Sequence, residues 1–194
     1  MKKIRILLIE DDRVDQMAFK RLVKEKDLPY DYTVAGSVRE AKDSLSAKKF
    51  DIVIVDYLLG EETAFDIFPL VKKMSIILVT VAGNEEVAVK AMKEGAYDYL
   101  IKDTQGNYLN VLPITVENAL KHRQTEKQFR ILSQAITSTK DSVYITDTDN
   151  KIIFVNQAFC ETYGYDQGDI LGREPSSLSG RVCGRGSRGN GQSY

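Results

Sequence analysis

Asp51-Ile52-Val53-Ile54-Val55-Asp56-Tyr57 is the stretch on which the fold turns. Four β-branched residues follow one another from 52 to 55 and stop at a carboxylate, Asp56. A run this short and this apolar reads as a strand buried on both faces, as in a parallel sheet covered by helices. Open α/β sheets gather their chemistry beyond the carboxyl ends of the strands, which makes Asp56 the first candidate functional residue.

Working outward, similar runs flank it on both sides. Lys3 to Ile9 predicts a first strand that ends in Glu10-Asp11-Asp12, and Tyr32 to Ala35 a second. Ser75 to Val81 predicts a fourth strand containing Thr80, and Tyr97 to Ile101 a fifth with Lys102 at its end. Helical spacing fills the intervals. Val14, Met17, Ala18, Arg21 and Leu22 recur on one face, and Ser37 with Glu40 forms a capping box ahead of Val38, Ala41 and Leu45. A helix over 64–74 carries Pro69, which removes an intrahelical bond and should kink or shorten it. Asn84 is read as the cap of a further helix with Val87, Ala88, Ala91 and Met92 inward and Gly95 as its left-handed stop. Strands alternating with helices predict a doubly wound, five-stranded parallel sheet.

The bulk numbers exclude several classes. Net charge is −1, with 43% hydrophobic and 28% charged residues, which removes the electrostatic case for nucleic-acid binding. No apolar run approaches the roughly 20 residues of a bilayer span, so no membrane is expected. Cys160 and Cys183 lack metal-ligand spacing, and a cytoplasmic location is the expectation.

Together the predicted strand ends carry Glu10, Asp11, Asp12, Asp56, Thr80 and Lys102. Clustered carboxylates repel unless a cation joins them, and an all-oxygen set suits Mg²⁺. A carboxylate beside a cation, a lysine and a hydroxyl is suited to accept a phosphoryl group, since it is already ionised at neutral pH and needs no general base.

This pattern resembles the receiver domain of two-component response regulators, through the acids after the first strand, Asp56, Thr80 and Tyr99-Leu100-Ile101-Lys102. The resemblance covers residues 1–122 and implies a flavodoxin-like fold. It implies that Asp56 takes phosphate from a sensor histidine kinase or phosphotransfer protein. Glu10 and Asp11, with Asp56 and the Leu58 carbonyl, would hold Mg²⁺, with Asp12 as an alternative ligand. Thr80 and Tyr99 would be the switch pair, in a phosphoacceptor rather than an enzyme. The alternative is a phosphorylation-independent adaptor. A phosphatase would carry a second aspartate two residues beyond the nucleophile, where this chain has Leu58. The chain departs from the family at Asp103 and Gly60, where proline is common, at Ala64 in place of glycine, and at Val81 in place of a small residue.

A long helical pattern runs from Leu109 through Ser138 and is polar all round over 121–128. Such a segment bridges domains. Residues 123–140 are read as a linker helix, whose apolar ends allow a homodimer. His122, the only histidine, immediately precedes it and is read as a solvated side chain. Beyond it, Val143 to Asp147 and Ile152 to Asn156 form a hairpin by alternation and turn chemistry. With Asn156-Gln157-Ala158-Phe159, Gly164-Tyr165 and Ile170-Leu171-Gly172, this order is similar to the first half of a PAS sensor domain. Residues 141–178 are therefore read as a partial, α+β PAS segment, expected to be poorly ordered or supported by a dimer. Residues 179–194, rich in Gly and Arg, are read as a disordered or non-native tail.

Overall fold

The computed structural model describes residues 3–72, 74–81, 85–103 and 105–178. Asn84, Cys183 and the tail from 179 lie outside them. The chain divides into two compact units, Met1–Thr125 and Glu126–Tyr194.

In the first unit the order is β1 (Ile4–Ile9), α1 (Arg13–Glu25), β2 (Tyr30–Ala35), α2 (Val38–Ala47) and β3 (Ile52–Asp56). A small hairpin of β4 (Leu58–Leu59) and β5 (Glu62–Thr63) follows, then a 3₁₀ turn (Ala64–Asp66), α3 (Phe68–Val71), β6 (Ser75–Val81), α4 (Glu85–Lys93), β7 (Asp98–Lys102) and α5 (Tyr108–Ser138). The main sheet has five strands in the order β2-β1-β3-β6-β7, and every pair in it is parallel. The order reverses direction at β1, so the crevice between β1 and β3 is the topological switch point of the sheet.

Strand alternation divides the core into two layers. Leu7, Ile9, Val53, Val55, Ile76 and Leu78 point to one face, where they meet Val38 and Ala41 of α2, Phe68 and Val71 of α3 and Ala91 of α4. Ile6, Leu8, Ile52, Ile54, Ile77 and Val79 point to the other, against Phe19, Leu22 and Val23 of α1 and Leu112, Val116 and Ala119 of α5. All of these side chains are buried, each worth about 1.5–3 kcal/mol for the larger aliphatic ones. Covering both faces explains why the strands carry unbroken apolar runs.

Two details correct the sequence expectations. The buried stripe of α1 is Phe19, Leu22 and Val23, while Val14 and Met17 are 72% and 68% exposed. Met92 of α4 is likewise exposed, while Ala88 and Ala91 are buried and Val87 packs half-buried on the same core layer, as expected. The expected shortening at Pro69 is seen: among the described residues of 64–74 the helical elements are a 3₁₀ turn and the four-residue α3, with Pro69 in its first turn. The expected cap on α2 is confirmed: Ser37 accepts from the Glu40 amide, while the Glu40 carboxylate reaches back to the Gly36 amide. Gly95, at φ +102°, closes α4.

Helix α5 is continuous over 31 residues. Its buried positions end at Ala119, and from Lys121 to Ser138 it is almost entirely exposed. No helix among the described residues is long and apolar enough to cross a membrane.

The second unit contains β8 (Tyr144–Thr146), β9 (Ile152–Val155), α6 (Gln157–Tyr163) and α7 (Gln167–Ile170). β8 and β9 pair antiparallel, with Asn150 at φ +59° in the turn. Ile152, Val155, Phe159 and Ile170 make a core of their own, with Tyr163, Tyr165 and Leu178 packed on it. Asn156 ties it together. Its buried amide oxygen accepts from the Val143 and Phe159 amides, and its nitrogen donates to the Ile136 and Asp141 carbonyls. In the described residues a short hairpin and two helices thus close a small core.

Candidate phosphoacceptor site

Each strand running into the crevice delivers one chemical group. β1 ends at Ile9, and Glu10 follows it, 4% exposed, with its own amide bonded to the Ala35 carbonyl of β2. β3 ends on Asp56, which lies opposite Val79 in the register with β6. Thr80, the next residue of β6, is 2% exposed and stands opposite Ile101 of β7. Lys102 ends β7.

Lys102 gathers the site. Its Nζ donates to Asp56 Oδ2 at 2.7 Å, to Glu10 Oε2 at 2.8 Å and to Asp15 Oδ2 at 2.7 Å. The side chains of Lys102, Glu10 and Asp56 are 13%, 5% and 14% exposed, so these are largely desolvated pairs. Burial disfavours the ammonium, but the three carboxylates outweigh it and raise the Lys102 pKa above the ordinary lysine range. Glu10 shows the opposite balance. Burial pushes its carboxyl up to about 7, against the Lys102 contact, with the Asp56 charge adding to the rise.

Carboxylate oxygens of Glu10, Asp11 and Asp56 lie within 4.8 Å of one another. This is the spacing and the hard-oxygen chemistry that a divalent cation such as Mg²⁺ takes. Asp12 has a different use. It is the N-cap of α1, its Oδ1 accepting from the Val14 amide at 2.6 Å, and it is outside that trio. Asp11 Oδ2 accepts from the Gly60 amide at 3.1 Å, which docks the turn of the β4–β5 hairpin on the acidic cluster. Gly60 has φ +66°. The proline common at this position could neither donate that bond nor adopt that angle. Leu58 opens the hairpin opposite Thr63, and Tyr99 of β7 is 39% exposed.

The loop after Lys102 is organised without proline. The Asp103 carboxylate accepts from the amides of Gln105, Asn107 and Tyr108, and these bonds hold its pKa below the usual range. The start of α5 is thereby fixed behind the lysine.

Asp15 was not singled out from the sequence. A signal was present: Asp15, Phe19, Leu22 and Val23 fall at i, i+4, i+7 and i+8, so the true inward face of α1 begins with a carboxylate. Taking Val14 and Met17 as the inward residues rotates that face away from the site.

Comparison with known proteins agrees with this geometry. The family model "Response regulator receiver domain" matches residues 6–112, more than half of the chain, and a PAS domain model matches residues 140–190. The chain belongs to the response regulator receiver family, with a PAS match following the receiver. Among curated relatives, regulatory protein LuxO of Vibrio cholerae is 34% identical over 98 residues, 48% of this chain and 21% of that protein. The alginate biosynthesis regulator AlgB of Pseudomonas aeruginosa is 26% identical over 146 residues, 73% of this chain and 31% of that protein. The chain therefore spans about a fifth to a third of the length of these relatives. Among solved structures, a signal receiver domain from Vibrio parahaemolyticus superposes with a TM-score of 0.57 at 26% identity, over 66% of this chain and 97% of that one. A response regulator receiver domain from Clostridium thermocellum gives 0.55 at 26% identity, over 63% and 98%. Receiver chemistry belongs to two-component signalling, and that is the class in which this chain falls.

Proposed function

We propose that this chain is a phosphorylation-controlled switch whose phosphoacceptor is Asp56. The observation that carries the proposal is the convergence of Lys102 on Asp56 and Glu10 at 2.7 and 2.8 Å, two carboxylates that with Asp11 are spaced for one cation. In the transfer, the N–P bond of a phosphohistidine on a sensor histidine kinase or phosphotransfer protein breaks, and its electron pair stays on the imidazole nitrogen. An Asp56 carboxylate oxygen forms the new O–P bond. No base is required, because the attacking group is already ionised.

Glu10, Asp11 and Asp56, with the Leu58 carbonyl, would hold Mg²⁺. When bound, the cation neutralises charge on the phosphoryl oxygens. Lys102 faces the same oxygens from the β7 side, and Thr80 supplies a hydroxyl from β6. Thr80 and Tyr99 form the switch pair, with Tyr99 turning inward from its exposed position once the phosphoryl group draws Thr80 toward it. The chain is a switch that assists its own phosphorylation and dephosphorylation, not an enzyme acting on a separate substrate. Its output passes along α5 toward the PAS segment, with homodimerisation through the linker part of that helix.

The test is intact mass after incubation with Mg²⁺ and acetyl phosphate. Wild type gains one phosphoryl adduct and Asp56→Asn gains none. No adduct on a folded wild-type chain would instead favour an adaptor that works through its surface alone.

A further inference from the structure

One of the three carboxylates on Lys102 has no part in the phosphoacceptor scheme above. Asp15 lies in the first turn of α1 and accepts from Lys102 Nζ at 2.7 Å, as close as Asp56 does. It is not needed as a helix cap, since Asp12 already fills that place. The other two acceptors, Glu10 and Asp56, belong to the trio whose oxygens are close enough to share one cation, and Asp15 does not. A divalent cation and the Lys102 ammonium therefore draw on the same two carboxylates, Glu10 and Asp56, while Asp15 is an acceptor for the lysine alone.

An ammonium whose side chain is 13% exposed needs acceptors wherever it goes, because unpaired burial of a charge is costly. We propose that Asp15 is a positioning residue that receives Lys102 when Mg²⁺ takes Glu10 and Asp56, so that metal and lysine occupy the site together. The inference rests on the phosphoacceptor function proposed above. Without Asp15, Lys102 either stays on the metal ligands and opposes the cation, or leaves the site and no longer faces the incoming phosphoryl oxygens. With it, the lysine moves off two acceptors while remaining bonded to the third.

The experiment is calorimetric titration of the full chain with Mg²⁺ alone, for wild type, Asp15→Asn and Asp15→Glu, at about 0.15 M and about 1 M NaCl. Over that range the screening length falls from about 8 Å to about 3 Å, which removes diffuse charge effects and leaves contacts. Asp15→Asn should weaken Mg²⁺ binding about fivefold at both salts, the factor that corresponds to ~1 kcal/mol for one partly exposed ion pair. Asp15→Glu should recover most of the loss. In parallel, nitrogen NMR of Lys102 in Mg²⁺-saturated wild type should show a slowly exchanging, hydrogen-bonded ammonium that is lost in Asp15→Asn. A purely structural role for Asp15 in α1 would lower thermal stability and leave the Mg²⁺ affinity of the folded chain unchanged. Unchanged affinity in Asp15→Asn, or a difference that vanishes at high salt, overturns the inference and leaves the phosphoacceptor function standing. If Asp15→Asn does not fold, a Lys102 ammonium in wild type that exchanges freely once Mg²⁺ is bound overturns it equally. Failure of wild type to bind Mg²⁺ at all removes both.

Discussion

Glu10 is buried with both carboxylate oxygens engaged, Oε2 by Lys102 and Oε1 by the Asp12 amide. Burial nevertheless prevails over the lysine and lifts the carboxyl to about 7 from the ordinary 4.5. A carboxyl whose folded-state pKa lies above its unfolded value adds stability that is complete below the unfolded value and is lost as pH rises through the folded one. Lys102, with its pKa raised above the ordinary 10.5, keeps its own contribution throughout that window. Metal-free protein should therefore lose roughly 1–3 kcal/mol between pH 5 and pH 8 relative to Glu10→Gln, as measured by urea denaturation at each pH. A wild-type curve parallel to that of the variant would show that Glu10 does not titrate in this range. The acidic trio and the lysine were legible in the sequence because they stand at or just beyond the ends of strands, and the topology then places strand ends together. Asp15 was hidden because its role depends on how α1 is rotated about its axis, and two exposed apolar residues, Val14 and Met17, mimic a buried face.

The central strands were read correctly, since the apolar runs of β1, β3 and β6 leave no alternative to a sheet covered on both sides. Short elements were not. The two-residue strands of the β4–β5 hairpin carry no periodicity, and they form because Gly60 turns the chain and bonds Asp11. The loop between β7 and α5 depends in the same way on one side chain. Asp103 accepts from the Gln105 and Asn107 amides of the loop and from the Tyr108 amide that opens a 31-residue helix, whose first N–H groups have no partner within the helix. Asp103→Ala should lower the melting temperature and speed amide exchange at Gln105, Asn107 and Tyr108, with exchange elsewhere in α5 unchanged. The depressed Asp103 pKa fixes the pH sense: its contribution is present at neutral pH and is lost as pH falls through the folded-state value. Exchange at those three amides equal to wild type would show that the loop is held by other bonds. The consequence for function is local, because Lys102 immediately precedes this residue and shares its loop.

At the scale of the molecule, the chain carries a receiver core and a separate small core, and the sequence changes pattern between them. Long β-branched runs give way to a polar helix, and then to a short alternating hairpin. What the sequence could not reveal is that the second segment closes a core around Phe159 and Ile170, since that packing joins residues scattered over the whole segment. The bridging part of α5 has its own unsatisfied feature. Phe129 and Leu132 are 74% and 62% exposed, and with Ile136 they recur at i, i+3 and i+7 as an apolar stripe, beside which Ile131 is also 53% exposed. A stripe at this spacing suits the same stripe on a second copy, as in a two-stranded coil. The 194-residue chain should sediment as a dimer, and a fragment ending at Thr125 as a monomer that still gains the phosphoryl adduct, because its core is complete. Phe129→Glu combined with Leu132→Glu should weaken the dimer at least about a hundredfold, given ~1.5–3 kcal/mol for each apolar side chain removed from burial. Dimers that survive the double substitution would place the contact elsewhere. In that case the signal from Asp56 would have to leave through a surface of the receiver itself, and α5 would serve only as a spacer.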